Sequence, residues 1–423
     1  MSAAHDIYSV VKPLLIFSKV FGLYPNTVEN FETQQLTSPW SNGLDIVWSA
    51  TIMIFLTFYS IYTMRMGEKP ATSTELIVEI GDIIYMSVSL IDAFLLSLFS
   101  ITKRTKMVQF LQKFANFEKK MQQLDLPLDL ANEYTRAKVC VLFAIATAIS
   151  LIISYVIIDI ILFLGNVTFE DIGAEIVAYV YPLVTMMTMV MQFCTLCLLT
   201  RQKFRWINLK LDQIRKQWQG KNKTTYYSNK INSFHLSKKK HFFHLGRNFC
   251  CRETTKAITL EKLIYFLEQF RRRHYELCSL TENLNRIFNV QILFTCLNLF
   301  ITITFTVYFY FISNSDAKIR SPVLYSTYYA LNGFINVSAL FGLVWAASQT
   351  KNEAKHTSRI LHKIYDRNEE VENSIMHFSF QLLQSNVEFS GCHVFVLDET
   401  LLFSVVGAIT TYLVIVIQFQ YQN

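Results

Sequence analysis

Glycine, proline and charge are all scarce in this chain. Its 423 residues include 12 glycines and 7 prolines, and only 17% are charged, against about a quarter in a soluble domain. Few turn formers beside 35 phenylalanines and 21 tyrosines favour helices over turns. Low charge with 52% apolar residues argues against a soluble domain and for a membrane protein. Reaction chemistry is missing too: there is no Ser-His-Asp set, no glycine-rich phosphate loop and no His-Glu-x-x-His, so no enzyme and no cofactor are expected. The first residues lack a basic stretch followed by a small-residue cleavage site, so no cleavable signal peptide is expected.

What is abundant is long apolar runs. A bilayer core takes roughly 20 apolar residues per helix, and seven stretches qualify: 46–64, 76–101, 139–164, 174–200, 288–312, 324–347 and 396–419. The sequence therefore predicts an all-α membrane protein with seven transmembrane helices. Segment 1–45 is a cytosolic N-terminal part whose Val10–Leu23 reads as an amphipathic helix against the bundle or the inner interface. Segment 46–347 carries helices 1–6, with 201–286 as cytosolic helix extensions joined by a basic loop. Segment 348–395 reads as cytosolic helices, and 396–423 as helix 7.

Basic charge is almost absent from one side. Of the 39 Lys and Arg, only Arg65, Lys69, Lys318 and Arg320 fall on connections 1–2, 3–4 and 5–6 or the C-terminal end. Basic residues mark the cytosolic side, so the N-terminus is placed in the cytosol and the C-terminus outside, at the plasma membrane. The net charge of +7 is thus a topology signal and no sign of nucleic acid. Asn166-Val167-Thr168, in the external 3–4 connection, is a usable glycosylation sequon, whereas those at Asn222 and Asn336 fall in the cytosol and inside a helix. This orientation is opposite to that of a G-protein-coupled receptor. Span 3 also lacks a terminal Asp-Arg-Tyr and span 7 an Asn-Pro-x-x-Tyr, and none of the 8 cysteines falls in an external loop.

The cytosolic helices show their own periodicity: Phe204, Trp206, Ile207, Leu209, Leu211 and Ile214 after span 4, then Ile360, Leu361, Ile364, Phe378, Phe380, Leu382 and Leu383 after span 6. They suit a compact domain where subunits meet. Between Trp218 and Leu260 the chain is basic and aperiodic and reads as a flexible loop. Its His235, His241, His244, Cys250 and Cys251 are too irregularly spaced for a zinc site, and no metal is expected. Cys194-x-x-Cys197 reads as helix packing.

Helix 7 carries a stripe. Ser404, Ala408, Thr411, Ile415, Gln418 and Gln422 share one face of a helical wheel, against Leu401, Leu402, Phe403, Leu413, Val414, Val416 and Ile417 elsewhere. Such a face meets either other helices or water. In the first case Gln418 only marks the headgroup boundary. In the second, several copies surround a pore, with Ile415 and Phe419 as an apolar constriction and Gln418 as an amide ring.

Thr411-Tyr412, five apolar residues and Gln418-Phe419, preceded by Phe389, Cys392, Phe395, Asp398, Thr400 and Leu401, resemble the C-terminal signature of insect gustatory receptors. The match is specific over Glu388–Gln420. The rest of the chain shares only the family's organisation. The resemblance implies a ligand-gated non-selective cation channel. It implies a homotetramer whose last helices line the pore and whose cytosolic helices form an anchor domain. Pore and gate roles then carry over to Thr411, Ile415, Gln418 and Phe419. The ending is similar to that of the sugar-sensing branch, which several branches share, so a sugar and a bitter tastant both stand as agonists. A heteromer with sister receptors also stands, as does a seven-helix receptor signalling through a G protein or a co-receptor channel.

Polar and aromatic residues in the outer halves of spans 2–6 are candidates for the ligand pocket: Asp82, Tyr155, Asp159, Tyr328, Tyr329, Asn332 and Asn336. Carboxylates within a span tend to face a cavity or a partner, and aromatics with a few amides suit a sugar. Tyrosines also gather at membrane interfaces, and Asp92, deeper in span 2, also reads as a bond between helices. The topology makes one direct prediction. An epitope tag after Asn423 is stained on intact cells, and staining that requires permeabilisation while the protein is at the surface overturns the orientation.

Overall fold

The computed structural model describes residues 7–24, 39–66, 73–123, 130–163, 179–237, 258–315, 322–364 and 368–422, and within some helical stretches the backbone alone. The described residues are almost wholly helical. They form α1 (Ile7–Val20), α2 (Pro39–Met66), α3 (Ser73–Thr102), α4 (Arg104–Gln122), α5 (Leu130–Phe163), α6 (Tyr181–Ser237), α7 (Leu260–Ser315), α8 (Pro322–Leu361), α9 (Glu369–Gln384) and α10 (Glu399–Gln422), with a hairpin of β1 (Ser390–Gly391) and β2 (Phe395–Val396) before α10. Among the described residues a helix overlaps each of the seven apolar stretches. Among the described residues, four segments are long and apolar enough to cross a membrane: Ile80–Thr102, Tyr181–Gln219, Leu260–Ser313 and Val323–Leu361. Gly43–Phe55 and Glu399–Ile415 are shorter apolar segments.

The chain divides into two compact units. One holds Met1–Leu199, Leu280–Gln349 and Glu388–Asn423, the other Thr200–Ser279 and Thr350–Val387. In the first, α1 overlaps the stretch Val10–Leu23 read as amphipathic, starting and ending three residues earlier. Ile7, Tyr8, Val10, Val11, Leu14 and Leu15 are buried, and the helix packs on α5 and α4. It ends at Gly22, whose φ of 75° only glycine adopts cheaply. Gly22 N–H donates to Lys19 O and Leu23 N–H to Ser18 O, the paired bonds of a glycine-terminated helix. Side chains complete the cap: Trp48 Nε1 donates to Val20 O, Ser49 Oγ to Gly22 O and Tyr181 Oη to Phe21 O.

The β1–β2 hairpin is tight and strained. Val394 N–H donates to Gly391 O at 2.9 Å, and Cys392 and His393 have φ of 49° and 61°. Two left-handed central residues make the hairpin turn that Asn-Gly normally occupies, at a cost of about 1 kcal/mol or more each. Gly391 is required because a Cβ there would lie 2.6 Å from the Phe395 ring. Surrounding contacts hold the turn. Phe389 stacks edge-on against Phe193, Phe193 against Phe288, and Ser390 N–H donates to Asn285 Oδ1. Nearby, Lys103 Nζ donates to Arg286 O, Ile287 O and Asn289 Oδ1, and burial pulls its ammonium below the usual lysine range, with Lys106 adding to the effect.

The second unit has its own core: Phe204, Ile207, Leu211 and Ile214 of α6; Leu263, Phe270 and Leu277 of α7; Ile360 and Leu361 of α8; Val371 and Phe378 of α9. Leu209, Phe380 and Leu383, read above as part of the same periodicity, are instead exposed, because they fall on the faces opposite these contacts. The flexible loop expected after Trp218 is corrected at its start, since α6 continues to Ser237. Extending an existing helix adds one hydrogen bond per residue without a new nucleus, which offsets the weak helix formers of this stretch, Gly220, Asn222, Thr224, Thr225 and Asn229 among them. His241, His244, Cys250 and Cys251 lie outside the described residues, and among those described no metal-holding group of His, Cys, Asp or Glu occurs.

Asn208 ties this unit together. Its Nδ2 donates to Glu353 O and Oε1, both at 2.9 Å, and its Oδ1 accepts from Thr357 Oγ1 at 2.6 Å. Asn208→Ala strands these buried partners at a cost of about 2 kcal/mol, so the purified protein melts several degrees lower. The exposed Gln213→Ala leaves the midpoint within about 1 °C.

Candidate functional site

Two places gather the predicted site residues. The first lies among α3, α7 and α8. Asn332, one turn below Tyr328 and Tyr329 on α8, is 2% exposed and Asn336 3%. Asn332 Nδ2 donates to Tyr85 Oη on α3 at 2.7 Å, and Asn336 Nδ2 donates back to Asn332 Oδ1 at 2.8 Å. The result is a relay of phenol and two amides across two helices.

Aromatic rings close around the relay. Tyr328 meets Tyr329 edge-on with centroids 5.2 Å apart, Tyr329 packs on Phe309 at 5.4 Å, Phe309 on Phe305 at 6.0 Å, and Tyr85 faces Tyr179 at 6.0 Å. Gly81 lets Phe305 and Phe309 approach α3, since a Cβ would sit 3.1 Å from the Phe305 ring. Asp82 stands three residues before Tyr85 on α3 and so shares its helical face. Tyr308, packed on Phe309 at 5.5 Å, buries a hydroxyl without a hydrogen-bond partner.

Asp82, Tyr328, Tyr329, Asn332 and Asn336 are thus brought together. Tyr155 and Asp159 lie on α5, with their side chains outside the described ones, and Asn166 lies outside the described residues. Phe305 and Phe309, which wall the cluster, were not among the sequence candidates. Their i, i+4 aromatic spacing on an apolar helix was the available signal, and it is indistinguishable from lipid-facing packing without knowing which way the helix turns.

The second place is α10. Asp398 begins it by accepting from Thr400 N–H at 3.1 Å, and Ser348 Oγ donates to Glu399 Oε1 at 2.6 Å. Leu401, Leu402, Val405 and Leu413 are half-buried, and Tyr412 meets Phe300 at 5.8 Å. Ser404, Thr411, Ile415 and Gln418 are exposed, and a Cβ at Gly407 would touch nothing. Among the described residues most of the stripe is thus uncovered, Ala408 being half-buried, and Phe403, Val406 and Val414 on other faces are exposed as well. The stripe's hydroxyls are turned inward: Ser404 Oγ donates to Thr400 O and Thr411 Oγ1 to Gly407 O, both at 3.0 Å. Each hydroxyl proton is used, so oxygen lone pairs are left on the outer side. The Phe419 side chain is outside the described ones.

Comparison with known proteins agrees with this architecture. A family model described as 7tm chemosensory receptor matches residues 11–423. In Drosophila melanogaster, the gustatory receptor for bitter taste 66a is 33% identical over 156 residues, covering 34% of this chain and 29% of that relative. The gustatory and pheromone receptor 32a is 30% identical over 149 residues, covering 35% and 32%. The chain thus matches about a third of the length of these relatives. In fold it is similar to the insect olfactory receptor OR5 from Machilis hrabei, solved in complex with eugenol, with a TM-score of 0.63 over 97% of each chain at 10% identity. An apolar helical bundle with this C-terminal helix, matched by the family model over nearly its whole length, belongs to the 7tm chemosensory receptor family.

Proposed function

We propose that this receptor is a gustatory ligand-gated, non-selective cation channel of the plasma membrane. It has seven transmembrane helices, a cytosolic N-terminus and an external C-terminus, and works as a homotetramer. The observation that carries this reading is the stripe of α10. Ser404, Thr411, Ile415 and Gln418 are exposed, and a helix in lipid has no use for such a face. Four copies about an axis turn the stripes toward one another. The lone pairs of Ser404 and Thr411 then face passing cations, and Ile415, Gln418 and Phe419 close the outer end as an apolar and amide constriction.

Two further features support the assembly and the ligand. On α9, Met376, Phe380 and Leu383 are exposed at i, i+4 and i+7, an apolar seam of the kind that second copies cover, which suits an anchor role for the cytosolic helices. The cluster of Asp82, Tyr328, Tyr329, Asn332 and Asn336 joins aromatic walls to a few polar groups, the make-up of a small-molecule pocket. The amides and phenols of the cluster suit a tastant carrying hydroxyls, a sugar among them. A relative named for bitter taste and another named for sugar taste keep both classes in the agonist screen. Ligand in this cluster shifts α7 and α8, and through the Phe300–Tyr412 contact draws α10 outward.

Purified protein in a planar bilayer passes cation current on agonist addition. Current that appears only with a G protein or a co-receptor present supports the runner-up. In the active channel, Gln418→Ala and Phe419→Ala alter conductance or gating, and an unchanged channel in both variants overturns the pore assignment. Asn332→Leu breaks the relay to Tyr85 and raises the half-maximal agonist concentration by about tenfold or more, about 1.4 kcal/mol, at unchanged surface expression. An unaltered dose response removes the cluster as the binding site.

A further inference from the structure

A second polar contact lies within the bundle, one helical turn along α3 from Tyr85. On α3 stand Ser89 and Asp92, and on α7 Thr295 and Asn298. At i and i+3 each pair shares a helical face, and the two faces meet. Asn298 Nδ2 donates to Asp92 Oδ2 at 3.0 Å, and Ser89 Oγ donates to Asn298 Oδ1 at 3.3 Å. All four side chains are more than nine-tenths buried: Thr295 is 0% exposed, Asp92 3%, Asn298 4% and Ser89 7%.

The contact is incomplete as it stands. Asp92 Oδ1 and Thr295 Oγ1 are both buried without a well-aligned hydrogen bond, although Thr295 lies within hydrogen-bonding range of the carboxyl. Among the described residues no Lys, Arg or His forms an ion pair with Asp92. A carboxylate inside a bilayer with one amide as its only well-aligned partner is costly unless a positive charge joins it.

We infer that Asp92, Ser89, Thr295 and Asn298 form a binding site for a dehydrated monovalent alkali cation at the α3–α7 contact. The donor set is all oxygen: both Asp92 carboxylate atoms, the Ser89 and Thr295 hydroxyls and the Asn298 carbonyl. Hard cations take such a set, and it lacks the imidazole and thiolate ligands that transition metals prefer. One carboxylate neutralises one positive charge, whereas a divalent ion would leave a net charge in a low-dielectric site. The cation fills the two orphaned oxygens at once and ties α3 to α7. This inference does not rest on the channel reading, because the site lies apart from α10 and its readout is stability.

The test is thermal melting of the purified receptor at constant ionic strength in NaCl, LiCl, KCl and choline chloride. The wild-type midpoint rises saturably, by about 2 °C or more, with at least one alkali cation over choline. Asp92→Asn abolishes the difference, and Thr295→Val, which removes one oxygen at nearly constant shape, shifts the titration to higher concentration. Should Asp92→Asn fail to fold, the Thr295→Val shift alone decides. Equal wild-type midpoints in all four salts overturn the site, and an Asp92→Asn protein as stable as wild type then identifies a neutral, protonated carboxyl instead. A cation response retained in Asp92→Asn, or an unshifted titration in Thr295→Val, overturns it as well.

Discussion

Inside a bilayer no water is on hand to accept or donate a hydrogen bond, so each polar group must find its partner within the protein. That constraint orders this molecule. Hydroxyls along the helices turn back onto the preceding turn of their own backbone, as Thr51, Thr57, Ser154, Thr304, Thr306 and Thr327 do onto the carbonyls four residues earlier. Such residues are silent in packing terms and can face lipid. Groups that cannot satisfy themselves in this way must cross to another helix, and they become the sites. Tyr85, Asn332 and Asn336 form one crossing; Ser89, Asp92 and Asn298 form another.

The same rule gives α10 its character. Ser404, Thr410 and Thr411 all spend their protons on their own helix, so the stripe makes no demand for a donor on whatever faces it. A helix–helix contact gains little from such a surface beyond close approach. A column of hydrated cations gains acceptor oxygens with no competing hydroxyl protons pointed at it. Gln418 differs, because an amide has both donors and acceptors and no short route to its own backbone. It belongs where water is present, which is where the external end of the helix lies in the proposed orientation.

Most helices were legible because apolar runs of membrane length have few alternative readings: stretches 76–101, 288–312 and 324–347 fall inside α3, α7 and α8. Direction of turn was less legible. Leu209, Phe380 and Leu383 carry the period of buried residues yet are exposed, because composition does not say which of two adjacent apolar positions faces the core. The site divides in the same way. Asn332 and Asn336 stood out because amides within a span need partners, whereas Phe305 and Phe309 look like any lipid-facing pair. The hairpin turn was invisible for another reason. Cys392 is a poor residue for left-handed backbone and His393 only a tolerated one, and the packing of Phe389 on Phe193 and the Asn285–Ser390 bond hold the turn.

That hairpin has a consequence for how motion enters α10. Its two central residues hold unfavourable dihedrals, its flank is bonded to Asn285 of α7, and the α7 carbonyls at Arg286 and Ile287 are held by Lys103. Strain maintained by neighbouring contacts is released when those contacts shift. A displacement of α7 therefore acts on the base of α10 through the hairpin as well as higher up through Phe300 and Tyr412. Two attachments on one helix transmit a tilt where a single one would transmit only a pull. In the proposed tetramer each α10 presents the same stripe to the axis, so a small tilt repeated four times widens the constriction at Ile415 and Phe419.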